Sequence, residues 1–128
     1  MKGYLLDTHA LIWWWTDHPR LGPKARAVLQ DPANTLFLSS VSVWEIAVKR
    51  KAGRLELAGS LAELAADPDF RPLPITSKHA ALVETLPDLH RDPFDRMLIA
   101  QAKCDDLVLV SSDRAVQAYP VDLLPAGN

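Results

Sequence analysis

The sequence predicts an α/β fold: three layers, α/β/α, with helices on both faces of a central, mainly parallel sheet. Two observations carry this. Short β-rich apolar runs alternate along the chain with segments of helical period, the order expected when each strand is followed by a crossover helix. One of those runs, Leu107 to Val110, is apolar without polar alternation, as a strand covered on both faces must be. With 128 residues, 48% of them hydrophobic, the chain is expected to form one domain spanning 1–128, able to bury a core without disulfide or metal staples.

The elements follow in order. Gly3 to Leu6 is a strand that stops at Asp7, and Thr8, a candidate cap, opens a helix through Trp15. Gly22 and Pro23 begin a second helix, because proline's fixed φ and missing N–H are harmless in a first turn, and Asp31-Pro32 ends it. Thr35 to Leu38 is the next strand. Ser42 to Ala52 is predicted helical, with Lys49, Arg50 and Lys51 at its negative end and Gly53 as the stop. Gly59 to Ala66 is a short helix, Asp67 to Pro74 a proline-punctuated loop or edge strand, and Ser77 caps a helix to about Leu86. Asp92-Pro93 has the chemistry of a helix start, and Phe94, Leu98 and Ala102 recur every four residues to about Cys104. After the Leu107 to Val110 strand, Ser111-Ser112-Asp113 leads into a last helix before a strand from Val121 to Leu124. No internal repeat or low-complexity segment interrupts this order.

Composition excludes several classes of function. The balance of 14 Lys+Arg against 16 Asp+Glu gives no global attraction for a polyanion, so a nucleic-acid partner must be held by local patches or a bound cation. No membrane partner is expected: the longest apolar run, Ala10 to Trp15, is far short of the ~20 residues that span a bilayer, and the N-terminus lacks a signal-peptide layout. The single Cys104 points to a reducing, cytoplasmic setting.

Parallel α/β sheets place their sites beyond the carboxyl ends of the strands. Four acids fall there: Asp7 after the first strand, Glu45 in the helix after the second, Asp95 in the first turn of the Asp92 helix, and Asp113 after Leu107 to Val110. Each has an ordinary structural explanation. Ser42 and Glu45 could form a capping box, or Glu45 could pair with Lys49, while Asp92, Asp95 and Asp113 could serve helix N-termini. Asp7 is harder to explain so, because Thr8 is available as the cap and an acid ending a buried strand gains little there. Together the acids conflict: carboxylates about 5 Å apart repel by roughly 3 kcal/mol per pair at an effective dielectric near 20. A divalent cation removes the conflict. All-oxygen donors select a hard ion, Mg²⁺ or Mn²⁺, and such an ion suits hydrolysis of a phosphodiester.

The residues around these acids resemble those of PIN-domain ribonucleases, specifically VapC-type toxins of toxin–antitoxin pairs. The resemblance rests on Leu5-Leu6-Asp7-Thr8-His9-Ala10-Leu11-Ile12-Trp13, Ser40-Val41-Ser42-Val43-Trp44-Glu45-Ile46, Asp92-Pro93-Phe94-Asp95-Arg96-Met97-Leu98-Ile99-Ala100-Gln101-Ala102 and Val110-Ser111-Ser112-Asp113. It covers almost the whole chain, and four such blocks in order are specific. The resemblance implies a PIN-like fold and Mg²⁺-dependent endonucleolytic cleavage of RNA, with transfer RNA a plausible target. It implies a small antitoxin partner whose C-terminal segment blocks the site, and a homodimer. It places the acidic quartet on Asp7, Glu45, Asp95 and Asp113. Asp7 and Asp95 would be direct metal ligands, Asp113 a ligand directly or through water, and Glu45 the residue that positions or deprotonates the attacking water. Thr8 and Asp92 would support the site, and Ser111 or Ser112 would orient a carboxylate.

Other features divide between structure and function. Trp13, Trp14 and Trp15 span about 200° of a helix, so one face cannot bury all three, and an outward ring would suit a dimer or antitoxin interface. Lys49, Arg50, Lys51 and Arg54 are expected to be a solvated helix terminus. Arg91, Arg96 and Arg114 adjoin the acids or their loops and are candidates for phosphate contacts. His9, His18, His79 and His90 show no metal spacing and read as surface or packing residues. A phosphorylation-switched receiver domain is a competing reading, but Asp7 has no acidic neighbour and Ser111-Ser112-Asp113 offers no lysine. A haloacid-dehalogenase-type phosphatase would need an acid where His9 stands, and a non-catalytic PIN-fold binding domain would not need the complete quartet.

Overall fold

A computed structural model describes residues 2–127. Five strands, β1 (Gly3–Leu6), β2 (Thr35–Ser39), β3 (Arg71–Leu73), β4 (Val108–Ser111) and β5 (Leu123–Pro125), form one sheet in the order β3-β2-β1-β4-β5. Every pairing is parallel. The chain therefore crosses over between strands, through α1 (Thr8–Trp15) and α2 (Pro23–Gln30), then α3 (Ser40–Lys51) and α4 (Leu61–Ala65), then α5 (Ser77–Val83) and α6 (Pro93–Cys104). A short 3-10 helix, Arg114–Ala118, replaces the full last helix read from sequence.

Alternation along the strands sends side chains into two cores. Leu6 and Val110 pack with Ala10, Leu11, Ala25, Leu29, Ile46 and Leu64 on one face. Their neighbours Leu5 and Leu109 pack with Leu98, Ile99 and Ala102 of α6 on the other. This double burial is what the unbroken apolar run at β4 encodes. Polar groups inside are matched. Ser39 Oγ donates to Gln101 Oε1 at 2.6 Å, both residues being fully buried, and among the described residues no buried side-chain polar atom lacks a partner.

Helix starts differ from the sequence reading where two capping residues compete. α3 begins at Ser40 with Ser39 as its cap, so Ser42 lies inside the helix and no capping box with Glu45 forms. α5 is capped by Thr76 rather than Ser77, because the Thr76 hydroxyl accepts from the His79 N–H while His79 Nδ1 accepts from the Thr76 N–H. β3 proves to be an edge strand, the place where Pro72 costs no ladder bond. The tryptophans each find a different neighbour: Trp13 stacks on His18, Trp14 meets Phe70 edge-on, and the Trp15 ring lies against Gly59. All three are half-buried, and the outward ring expected among them is instead Trp44.

Candidate active site

The strand order reverses beside β1, so the switch point of the sheet lies beyond the carboxyl ends of β1 and β4. Asp7 stands there. Its N–H donates to the Val110 carbonyl at 3.0 Å, which fixes it to the end of β4, and the residue is 5% exposed. Its Oδ1 accepts from the Ala10 N–H at 2.8 Å, so Asp7 caps α1, the role the sequence assigned to Thr8. Thr8 is thereby free to act elsewhere. Its hydroxyl donates to Glu45 Oε1 at 2.5 Å, with Ser42 Oγ 3.3 Å away, and joins α1 to α3.

Glu45 is buried, and its second oxygen accepts from Lys49 Nζ at 2.5 Å. The i,i+4 pairing weighed as an alternative to a site role is thus formed, alongside the Thr8 hydrogen bond on the other oxygen. Lys49 therefore does not belong to the solvated helix end expected from the sequence, but forms the Glu45 pair that its four-residue spacing allows.

Asp92 caps α6 by accepting from the N–H groups of Phe94 and Asp95, at 2.8 and 3.4 Å. That cap sets the first turn and turns Asp95 toward the other acids. Asp113 caps the 3-10 helix through the Ala115 N–H at 2.9 Å, and its own N–H donates to Ser111 Oγ at 3.1 Å. Between the two acids lies His90, whose Nε2 is 2.8 Å from Asp113 Oδ2 and 3.1 Å from Asp95 Oδ2. His90, Asp95 and Asp113 bring their ligand-type atoms within 4.8 Å of one another. His90 is therefore a site residue and not a surface or packing histidine. Nothing in its spacing reveals this, because the loop before α6 sets its direction.

The acids feel one another's charge, Asp113 acting on Asp7 and Asp92, Asp7 and Glu45 acting on Asp95. Burial pushes the Asp7 carboxyl up, against hydrogen bonds from Ser111 and Ala10 and the nearby His9, and Asp113 adds to the rise. Asp95 is pushed up to about 7, by burial first and then by repulsion from Asp92, Asp7 and Glu45. Asp113 goes the other way. Burial would raise it, but the His90 and Ala115 hydrogen bonds and the charges of His90 and His9 prevail. For His90, burial lowers the pKa and the carboxylates of Asp113, Asp95 and Asp92 more than reverse this. The Asp92 N–H pointing at Nδ1 from 3.1 Å opposes a second proton, since protonation would set two N–H groups against each other.

The remaining site residues separate by location. Ser111 is buried, its Oγ accepting from the Asp113 N–H, and it lowers the Asp7 pKa, whereas Ser112 and Arg114 are exposed. Arg96 does not face the acids. Its guanidinium, 14% exposed, donates to the carbonyls of Val83, Leu86, Pro87 and His90 and to the Tyr119 hydroxyl. Those contacts use the donors a phosphate would need, so the expected phosphate contact at Arg96 is replaced by a structural one.

The PIN domain profile matches residues 4–121. The chain belongs to the PIN domain family. Ribonuclease VapC22 of Mycobacterium tuberculosis is 31% identical over 124 residues, covering 93% of each chain. Among solved structures, VapBC2 from Rickettsia felis, bound to a DNA fragment from its promoter, has a TM-score of 0.70 at 15% identity and covers 95% of this chain and 97% of that one. FitAcB from Neisseria gonorrhoeae has a TM-score of 0.64 at 22% identity, covering 96% and 97%. The fold predicted from sequence is the fold observed, and family membership sets aside the receiver and dehalogenase readings.

The donor set of this PIN domain suits a hard dication. Asp7, Asp95 and Asp113 offer carboxylate oxygens, Asp7 and Asp95 are both pushed toward holding protons, and a divalent ion relieves the same conflict without a proton. A second group, His79, Cys104 and Asp105, has ligand-type atoms equally close. There His79 Nδ1 accepts from the Thr76 N–H, so Nε2 carries the proton and has no lone pair to give a metal.

Proposed function

We propose that this PIN domain is a Mg²⁺-dependent endoribonuclease, with Mn²⁺ able to substitute, and the toxin of a toxin–antitoxin pair in the cytoplasm. The observation that carries this reading is the meeting of Asp95 and Asp113 beyond the sheet's carboxyl end, their oxygens within 4.8 Å of each other and of His90, where burial and then the charges of Asp92, Asp7 and Glu45 raise the Asp95 carboxyl and a bound cation would relieve them. The relative named a ribonuclease, similar over nearly its whole length, supports the reaction class. The VapBC structures support a small antitoxin as partner.

In this reading Asp7 and Asp95 hold the ion and Asp113 holds it directly or through water. When bound, a hard dication there lowers the pKa of a coordinated water and neutralises charge developing on the phosphodiester. Thr8 and Lys49 fix both Glu45 oxygens in direction, and each oxygen keeps a lone pair with which to orient the attacking water. Ser111 steadies the Asp7 carboxylate. The exposed Arg114 and Ser112, next to Asp113 in the chain, are the candidates for RNA phosphates, whereas Arg91 lines the groove beside Trp44; transfer RNA is the first substrate to try. Purified protein is expected to cleave RNA with Mg²⁺ and to stop in chelator, and Asp7→Asn to lose cleavage by about 100-fold or more. Equal residual cleavage by wild type and Asp7→Asn would trace the activity to a contaminant and remove the proposal, leaving a non-catalytic binding domain.

The homodimer is proposed on the face that carries Trp44 and Val48, 56% and 42% exposed and one helical turn apart on α3. Trp44 meets Phe94 edge-on at 4.9 Å and borders a groove of about 450 Å³ with Ile75, Met97 and Val83. Wild type is expected to migrate as a dimer and Trp44→Arg as a monomer with an unchanged circular dichroism spectrum; a monomeric wild type removes this part of the proposal.

A further inference from the structure

Every polar contact of the His90 side chain has a fixed sense. Its backbone is pinned first: the His90 N–H donates to the Tyr119 hydroxyl at 2.9 Å, and its carbonyl accepts from Arg96 at 3.4 Å. Nδ1 accepts from the Asp92 N–H at 3.1 Å, so the ring's proton sits on Nε2. That N–H points at Oδ2 of Asp113, 2.8 Å away, and Oδ2 of Asp95 lies 3.1 Å from the same nitrogen. These are oxygens that a cation would coordinate.

We propose that His90 is a tethered competitor for the cation, its Nε2–H taking the Asp113 oxygen and its ring standing against the Asp95 oxygen that ion binding requires. The ring is no ligand in this arrangement, because the nitrogen facing the site has a hydrogen where a metal would need a lone pair. Its N–H dipole presents a positive end to any ion held by the same two oxygens. The ring must therefore rotate away as the ion enters, and the free energy of its hydrogen bonds is subtracted from that of ion binding. The competitor cannot be lost to solvent, since Tyr119 and Arg96 hold the backbone of residue 90 in place. The consequence is an ion affinity weaker than the carboxylates alone would give.

Two substitutions separate the ring's two nitrogens. His90→Asn keeps an oxygen near the position of Nδ1 for the Asp92 N–H but is too short to reach Asp113. His90→Gln keeps a donor with the reach of Nε2. Mn²⁺ dissociation constants of the full chain, measured by electron paramagnetic resonance or calorimetry, are expected to fall about tenfold in His90→Asn and to stay within about threefold of wild type in His90→Gln. On adding Mg²⁺ to wild type, the His90 ring resonances are expected to shift as the ring leaves the carboxylates. Unchanged or weaker Mn²⁺ binding in His90→Asn overturns the inference, and a weakening would make His90 a ligand. The inference rests on the proposed cation site. Failure of wild type to bind Mn²⁺ in a manner that Asp95→Asn abolishes would remove both, whereas such binding without tightening in His90→Asn removes this inference alone.

Discussion

Asp95→Asn is expected to stabilise the protein while abolishing its activity. The carboxyl of Asp95 is raised from 3.8 to about 7, chiefly by burial and then by Asp92, Asp7 and Glu45. A carboxyl whose folded pKa exceeds its unfolded value binds more protons in the native state between the two, so stability falls as pH climbs from about 4 to about 7 and the full penalty persists above. A shift of that size corresponds to about 4 kcal/mol. The substitution recovers part of it, because Asn also gives up the contact with His90. In chelator at pH 8, Asp95→Asn is expected to melt roughly 5–10 °C above wild type, a gain of about 2 kcal/mol. At pH 4 the gain should vanish, since a protonated Asp95 and an Asn are electrically alike. Cleavage in Mg²⁺ should drop by about 100-fold or more. Thermal melts across pH check the first part. A variant no more stable than wild type at pH 8 would mean that the acids do not strain the fold.

Arg96→Met is expected to be among the most destabilising surface-adjacent substitutions, costing about 3 kcal/mol and roughly 10 °C in melting temperature. One guanidinium gathers the carbonyls of Val83, Leu86, Pro87 and His90, which ties the end of α5 and the following loop to α6. Removing it orphans several acceptors in a partly buried setting, each with its own desolvation cost. Arg96→Lys should recover little, since one ammonium cannot span that fork. A residue whose task was to bind phosphate would behave otherwise, with weaker RNA affinity and an unchanged melting curve. Denaturant titration beside an RNA-binding assay on catalytically dead Asp7→Asn protein distinguishes the two.

These two residues also mark how far the sequence could be read. The sheet, its parallel sense and the place of Asp7, Glu45, Asp95 and Asp113 at its carboxyl end follow from local patterns: apolar runs, helix starts and acids just after strands. Such signals lie within a few residues and survive folding. Arg96 and His90 were read differently because their roles are set by loop backbone. Arg96 adjoins Asp95 in the chain, yet successive helical side chains point about 100° apart, and its own direction leads to the loop carbonyls. His90 reaches the site because Tyr119 and Arg96 hold its backbone, contacts made across the sequence and invisible in it. The exchange of cap between Thr8 and Asp7 is of the same kind. Both residues can cap α1, and the demand of Glu45 for the Thr8 hydroxyl decides between them.

The exposed tryptophan shows the converse error. Three consecutive rings promised an outward face, but a short helix flanked by Phe70, His18 and Gly59 offers a separate neighbour to each. Trp44, on the exposed side of α3 with Val48, meets only the edge of Phe94 among aromatic rings and stays 56% exposed.

The proposed chemistry depends on a cation held between the acids. Anomalous diffraction from crystals soaked in Mn²⁺ locates it directly. The expected result is a peak at coordination distance from carboxylate oxygens of Asp7 and Asp95, with Asp113 bound to it or one water away and the His90 ring turned aside. A peak at His79, Cys104 and Asp105 instead, or no peak at a concentration that supports RNA cleavage, would contradict it.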